Sequence, residues 1–147
     1  MARAETRKAE EENSSKYPYK LSSEQWKDKL NEQEYKILRK SGTEPAFSSS
    51  LNDEKRIGTY VCAGCGSAVY SSEHKFDSGT GWPSFYKPIS PDAVGTKTDY
   101  KLIWPRTEVH CATCGGHHGH VFEDGPQPTG LRYCINGAAL HFEPEGA

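Results

Sequence analysis

Two short motifs, CAGCG at residues 62–66 and CATCG at residues 111–115, constrain this chain more than any other part of its sequence. In each motif two cysteines stand three positions apart, so both thiolates can bind one ion, and the following glycine permits a tight turn. Four thiolates are the tetrahedral ligand set that structural Zn²⁺ prefers. The long interval between the motifs predicts a clasp between distant strands rather than a small zinc finger. The predicted Zn²⁺ ligands are Cys62, Cys65, Cys111 and Cys114.

Other roles are open to such cysteines. A single CxxC pair can be redox-active, and four thiolates can also hold iron. The repetition of the motif, each copy followed by glycine, favours a metal site over a redox pair. A metal also suits the composition, because Leu, Ile, Val and Phe are few among the 147 residues, although aromatic residues reach 11%.

The charge and the N-terminal segment restrict the class of protein. The net charge is −2, so there is no basic excess to bind nucleic acid or an anionic membrane. No apolar run approaches the length of a membrane span. Residues 1–16 are charged and lack the apolar stretch of a signal peptide, which predicts a disordered tail on a cytoplasmic protein. We expect residues 17–147 to form one domain that acts as a monomer.

The distribution of capping and β-forming residues predicts a mainly β fold with short N-terminal helices. Between residues 21 and 40, capping boxes that begin at Ser22 and Asn31 predict two short helices, the second ending near Gly42. Beyond them, short segments rich in Tyr, Val, Thr and Phe alternate with Gly, Pro, Ser and Asp, which is typical of antiparallel strands. Residues 124–130, DGPQPTG, predict a loop.

Cys134 is the one cysteine outside the two motifs, and it is either a small buried apolar residue or a nucleophile. In a strand, Arg132 and Asn136 would share its face, where a cation lowers the pKa of a thiol and an amide can donate to an oxygen. Upstream, GGHHGHVF contains three histidines. An extended strand would place His118 and His120 on one face, although the neighbouring glycines permit other geometries. These neighbours favour the interpretation of Cys134 as a nucleophile. The alternative role for the three histidines is metal binding.

Several longer segments resemble one known family. DSGTGWPSF, residues 77–85, holds Trp82 in an extended turn, either as a core residue or as an apolar platform. KFDSGTGWPSF, CGGHHGHVFEDGP and PTGLRYCINGAALHF, with the two CxxC motifs, resemble the methionine-R-sulfoxide reductases, the MsrB family. The resemblance extends from about residue 19 to residue 144. It implies two antiparallel β-sheets, short N-terminal helices and a structural zinc held by four cysteines.

The resemblance also implies a reaction, the reduction of methionine-R-sulfoxide, free or in proteins. A thiolate attacks the sulfoxide sulfur while an acid protonates the oxygen, so the cysteine is expected to have a depressed pKa and a proton donor nearby. The residues that match the family's catalytic positions are Cys134, His117, His120 and Asn136. Those that match its pocket for the substrate methyl group are Trp82 and Val121. The residues that match a supporting pair are Arg132 and Asp124.

The chain departs from a common pattern of the family at Thr80, where many members carry a resolving cysteine. Because the other four cysteines are assigned to the metal, no second thiol is expected to form an internal disulfide with a Cys134 sulfenic acid. We therefore expect thioredoxin, glutaredoxin or another thiol reductant to recycle Cys134 directly. The alternative functions are a zinc-ribbon binding module, which leaves Cys134 and the histidines without a role, and a thiol peroxidase.

Overall fold

The structure of the protein, a computed structural model, describes residues 17–100 and 104–146. The predicted tail, residues 1–16, lies outside these ranges. The described part contains two α-helices, three short 3-10 helices and nine β-strands. The strands form two antiparallel sheets, which confirms the predicted mainly β architecture.

Helix α1 spans Ser23–Lys29 and helix α2 spans Glu32–Lys40, and each begins with the predicted capping box. The capping side chains accept hydrogen bonds from backbone N–H groups that lack an intrahelical partner. The end of α2 differs from the prediction, because Ser41 rather than Gly42 takes the left-handed conformation, with φ of 56°. Neither helix of the described part has the length and apolar character that crossing a bilayer requires.

The nine strands are, in chain order, β1 (Gly58–Cys62), β2 (Ala68–Ser71), β3 (Lys75–Phe76), β4 (Ser84–Phe85), β5 (Val94–Asp99), β6 (Arg106–Cys111), β7 (His117–Phe122), β8 (Arg132–Ile135) and β9 (Leu140–Pro144). The small sheet has the strand order β2–β1–β9. The large sheet has the order β3–β4–β8–β7–β6–β5.

The observed strands differ from the prediction in two places. YKLIWP, residues 100–105, is one of the segments whose composition predicts a strand, but residues 101–103 lie outside the described part and the flanking residues are not in a strand. Strand β5 was not expected at all. It forms an edge of the large sheet and most of its residues are polar or exposed. An edge strand with little apolar surface gives a weak alternation signal, which explains the omission.

The large sheet has an apolar face and a polar face, because successive residues of a strand point to opposite sides. The apolar face packs on the small sheet, where the Phe85 ring lies 5.1 Å from Tyr60 and 4.4 Å from Tyr70. Other core residues on this face are Val109, Tyr133 and Ile135. The polar face carries one residue from each of five neighbouring strands in a row, which are Ser84, Cys134, His120, Glu108 and Lys97.

Candidate active site and metal site

The four predicted metal ligands lie together at the junction of the two sheets. Cys62 ends β1 of the small sheet and Cys111 ends β6 of the large sheet, and each is followed by the second cysteine of its motif. All four sulfur atoms lie within 4.8 Å of one another. The Cys62–Cys114 and Cys65–Cys111 sulfur distances are 3.7 and 3.6 Å, close to the edge of about 3.8 Å in a tetrahedron with Zn–S bonds of about 2.3 Å. The predicted four-cysteine clasp is confirmed, and it is positioned to hold a metal ion.

Both CxxCG motifs fold into the same turn. The N–H of Gly66 donates to the Cys62 carbonyl at 2.8 Å, and the N–H of Gly115 donates to the Cys111 carbonyl at 2.8 Å. The two glycines have φ angles of 81° and 76°, a conformation that residues with a Cβ rarely adopt. The glycine of each motif therefore closes the turn that brings its two cysteines together.

A buried histidine lies against the cysteine cluster. The Nε2 atom of His118 is 3.3 Å from the sulfur of Cys62. Burial lowers the pKa of His118 to about 3, so the ring is neutral and has one N–H to donate. A hydrogen bond to a thiolate sulfur orients the ligand and stabilises its charge. His118 thus belongs to the surroundings of the metal site.

A β-bulge in β7 decides which histidines face Cys134. The pairing of β6 with β7 shifts by one residue just before His110, which makes His118 the extra residue. His117 thereby joins His120 on the polar face, with ring centroids 5.4 Å apart. The expectation for an extended strand, which places His118 beside His120, is wrong because the bulge interrupts the two-residue period.

Cys134 occupies the middle of the polar face and is partly buried. It pairs with Ser84 of β4 on one side and with His120 of β7 on the other. Directly paired residues of antiparallel strands point to the same side, with Cβ atoms about 5 Å apart. The Cys134 thiol and the His120 imidazole are therefore neighbours across the β7–β8 pair.

The pKa of Cys134 differs from the expectation. Burial raises the pKa of the thiol, and this outweighs the lowering by a hydrogen bond from Thr80 and by the charge of Arg132. The expected depressed pKa is therefore wrong for the free protein, because the surroundings disfavour a thiolate more than one nearby cation favours it. The surroundings of Cys134 therefore favour the protonated thiol over the thiolate.

His117 and His120 are each hydrogen-bonded to a buried carboxylate. The Nδ1 atom of His117 lies 2.8 Å from Glu108 Oε1, and the Nε2 atom of His120 lies 2.9 Å from Asp99 Oδ2. Burial lowers the pKa of His120, whereas the hydrogen bond and charge of Asp99 raise it. Each carboxylate fixes the orientation of its ring. Sequence reasoning missed both carboxylates, because nothing local shows which residue a strand meets across the sheet.

Asn136 is held by a buried hydrogen-bond network around Glu44. Its Oδ1 atom accepts from the N–H of Glu44 at 3.0 Å, and its Nδ2 atom donates to the carbonyl of His118 at 2.9 Å. The Glu44 carboxylate accepts from the N–H groups of Gly137 and Ala138 at 2.9 and 2.8 Å. The position of the Asn136 amide is therefore fixed by backbone partners. No sequence signal points to Glu44, since its partners lie more than ninety residues away.

Trp82 is tied to the same network. Its indole Nε1 donates to the carbonyl of Glu44 at 3.0 Å, and the side chain is half-buried. The turn that presents Trp82 includes Gly81, with φ of 95°, and an added Cβ there would approach the Phe47 ring to 2.9 Å. Trp82 is therefore an anchored, partly accessible ring rather than a fully buried core residue.

Val121 does not lie on the polar face. It pairs with Thr107 and Tyr133, one position after His120, and so points to the opposite side of the sheet. There it packs against the hydrophobic core. The expectation that Val121 lines a methyl pocket beside Cys134 is wrong, because strand alternation places the two side chains on different faces.

Arg132 forms an ion pair with Asp124. Its Nε atom lies 2.9 Å from Oδ1 and its terminal nitrogen 3.1 Å from Oδ2 of that carboxylate. The guanidinium also lies 4.4 Å from the centre of the Phe122 ring. Asp124 raises the pKa of Arg132, which therefore stays charged. Arg132 shares the face of Cys134, where its charge favours the thiolate form.

The chain matches known proteins over most of its length. The model of the SelR domain matches residues 30–144, which include the polar face and the four cysteines. A peptide methionine sulfoxide reductase MsrB from Leptospira interrogans is 51% identical over 129 residues, which cover 88% of this chain and 98% of the relative. A protein of the same name from Methanosarcina barkeri is 53% identical over 124 residues, 84% of this chain and 87% of the relative.

Proposed function

Because the chain belongs to the SelR-domain family, together with the MsrB-type peptide methionine sulfoxide reductases, we propose that it is an oxidoreductase that reduces methionine-R-sulfoxide, free or within proteins, to methionine. The observation that carries the proposal is the direct pairing of Cys134 with His120 on the polar face of the large sheet. This pairing joins a nucleophilic sulfur to a group that can exchange a proton near neutral pH.

The reaction balances without another reactant. The Cys134 sulfur forms a bond to the sulfoxide sulfur while the sulfoxide oxygen gains a proton. The sulfur–oxygen bond of the substrate then breaks, the hydroxyl group bonds to the Cys134 sulfur, and the sulfur–sulfur bond breaks to release methionine. One thiol and one sulfoxide give one sulfenic acid and one methionine, so the cysteine sulfur loses the two electrons that the sulfoxide sulfur gains. The thiol proton of Cys134 replaces the proton that His120 delivers to the oxygen.

The other residues of the site orient the substrate. His117 and Asn136 stabilise the charge that develops on the sulfoxide oxygen. Trp82 contacts the substrate methyl group with its accessible indole surface. Arg132, supported by Asp124, favours the thiolate that forms as Cys134 attacks.

The metal is one structural Zn²⁺ per chain. Four cysteine ligands fill its coordination shell and leave no open position for a substrate. When bound, the ion neutralises the thiolates and links β1 of the small sheet to β6 of the large sheet. The histidine beside Cys62 supports this assignment, since hydrogen bonds to metal-bound sulfur are a common feature of such sites.

A thiol reductant restores Cys134. The sulfenic acid condenses with one external thiol, which releases water and leaves a mixed disulfide, and a second thiol then displaces Cys134. Thr80 supplies only a hydroxyl group where many members of the family have a cysteine. In the cytoplasm, where we place the protein, thioredoxin, glutaredoxin or another thiol reductant serves this role.

A reduction assay with matched variants tests the proposal. We expect the purified chain with dithiothreitol to convert a peptide containing methionine-R-sulfoxide to methionine. We expect Cys134→Ser to abolish the conversion while it leaves the fold and the metal content unchanged. If the wild-type chain leaves the sulfoxide peptide unchanged, the result would favour the alternative of a zinc-ribbon binding module. Activity on peroxide alone would indicate a thiol peroxidase.

Single turnover without reductant tests the recycling route. We expect Cys134 to gain one oxygen atom, to react with a sulfenic-acid reagent, and to form no internal disulfide in peptide mapping. A stoichiometric internal disulfide in a chain that still holds its metal would contradict direct recycling by an external thiol.

A further inference from the structure

Asp99 reaches the site from the edge of the large sheet. It ends β5, two strands from His120, and pairs across the sheet with Arg106 of β6. Its Oδ2 atom lies 3.4 Å from an Arg106 guanidinium nitrogen and 2.9 Å from His120 Nε2. The Asp99 side chain is 8% exposed and that of His120 is 10% exposed. A buried carboxylate thus contacts the ring that pairs with Cys134.

We propose that Asp99 is a positioning residue for His120. The Asp99 carboxylate fixes Nε2 as the protonated ring nitrogen and so leaves Nδ1 to exchange a proton with the substrate oxygen. It also stabilises the charged ring. This inference rests on the proposed function, because it gives the proton donor of that reaction its orientation. The two histidines are fixed through different nitrogens, since Glu108 holds His117 at Nδ1. Of these two histidines, His120 is the one directly paired with Cys134.

The charges around His120 explain why a carboxylate is needed. A buried imidazole loses its proton easily, because burial disfavours the cation. Burial is the main cause that lowers the pKa of His120, and Arg106 and His117 add to it, whereas Asp99 opposes them. The titratable groups on the polar face around His120 are Lys97, Asp99, Arg106, Glu108, His110, His117, Arg132 and Cys134. Among them Asp99 supplies the negative charge in direct contact with the ring.

Asp99→Asn tests the inference, since it removes the charge and keeps the shape. In the metal-loaded chain we expect the pH profile of kcat to shift so that activity declines at lower pH than in the wild type. Above neutral pH we expect kcat to fall by about tenfold or more, with a smaller change in mildly acidic solution and a KM within about threefold. Asp92→Asn, which removes an exposed carboxylate just before β5, is the matched control and should keep the wild-type profile.

NMR titration of His120 in the Cys134→Ser background gives a readout that does not depend on activity. We expect nitrogen shifts that report a protonated Nε2 in the neutral ring, and a lower His120 pKa in Asp99→Asn. We expect Glu108→Gln to leave the His120 tautomer unchanged. A neutral ring protonated at Nδ1, or equal losses of kcat at every pH with an unchanged His120 titration, would overturn the inference. A wild-type chain inactive on sulfoxide would contradict the proposed function, whereas the titration would still decide the role of Asp99.

Discussion

At the scale of single residues, Thr80 lies where the resemblance to the family led us to expect a resolving cysteine. Its hydroxyl forms a hydrogen bond with the Cys134 thiol that lowers the pKa of that group. The hydroxyls of Thr80 and Ser84 each lie 2.8 Å from that of Ser78. A chain of hydroxyl groups therefore ends at the Cys134 sulfur.

Thr80→Val removes the hydroxyl and keeps the shape. The pKa of Cys134 is already raised by burial, so loss of this hydrogen bond should raise it further and leave less thiolate at neutral pH. A hydrogen bond contributes about 1 kcal/mol, and we expect alkylation of Cys134 by iodoacetamide to slow by about fivefold at neutral pH. Thr80→Ser, which keeps the hydroxyl, is the control. Equal rates in the valine variant and the wild type would show that Thr80 has no influence on the thiol.

At the scale of elements, the bulge in β7 interrupts the two-residue alternation of side chains that a regular strand would have. It directs His118 to the four-cysteine cluster while His117 and His120 share the polar face. Gly119 allows β7 to lie close to β8, because an added Cβ would stand 2.1 Å from the Cys134 carbonyl oxygen. The same short segment thereby contacts the four-cysteine cluster and supplies two histidines to the polar face.

Gly119→Ala should push β7 away from β8 and so separate His120 from Cys134. We expect the free energy of unfolding to fall by about 2–3 kcal/mol and kcat to fall by at least about tenfold. Gly130→Ala is the comparison, because an added Cβ there meets nothing within 4 Å and only the positive φ of 74° adds strain, about 1 kcal/mol. Urea denaturation measures the difference. Equal losses of stability in the two variants would mean that the strands accommodate the methyl group at Gly119.

At the scale of the whole molecule, the four-cysteine site joins the two sheets. Cys62 belongs to the small sheet and Cys111 to the large sheet. Between the sheets the core relies on aromatic rings, such as Phe85 against Tyr60 and Tyr70, and the sequence has few aliphatic residues to add. We therefore expect a metal bound by the four cysteines to contribute a large part of the folding free energy.

Removal of the metal should unfold the chain or lower its Tm by about 10 °C or more. We expect elemental analysis to find one zinc per chain, and a strong chelator in mild denaturant to abolish the folded signal in near-ultraviolet circular dichroism. Cys65→Ser should behave like the chelated chain, whereas Cys134→Ser should keep its metal and its Tm. A folded, active chain without metal would contradict a structural role for the cysteine cluster.

The sequence alone was sufficient for features that depend on short spacings. The two CxxCG motifs identified the four cysteines of the cluster, the capping boxes located both helices, and the longer motifs indicated the family. These features involve residues within a few positions of each other, so local geometry and backbone hydrogen bonding determine them.

Only the tertiary structure decided how distant residues meet on the two faces of the large sheet. It placed Val121 on the core side, turned His118 to the metal ligands, and brought Glu44 and Asp99 to the site. The physical reason is register: a one-residue shift in pairing moves a side chain to the other face, and the shift depends on partners far along the chain. The raised pKa of Cys134 has a similar origin, because burial depends on what the whole fold packs around the thiol.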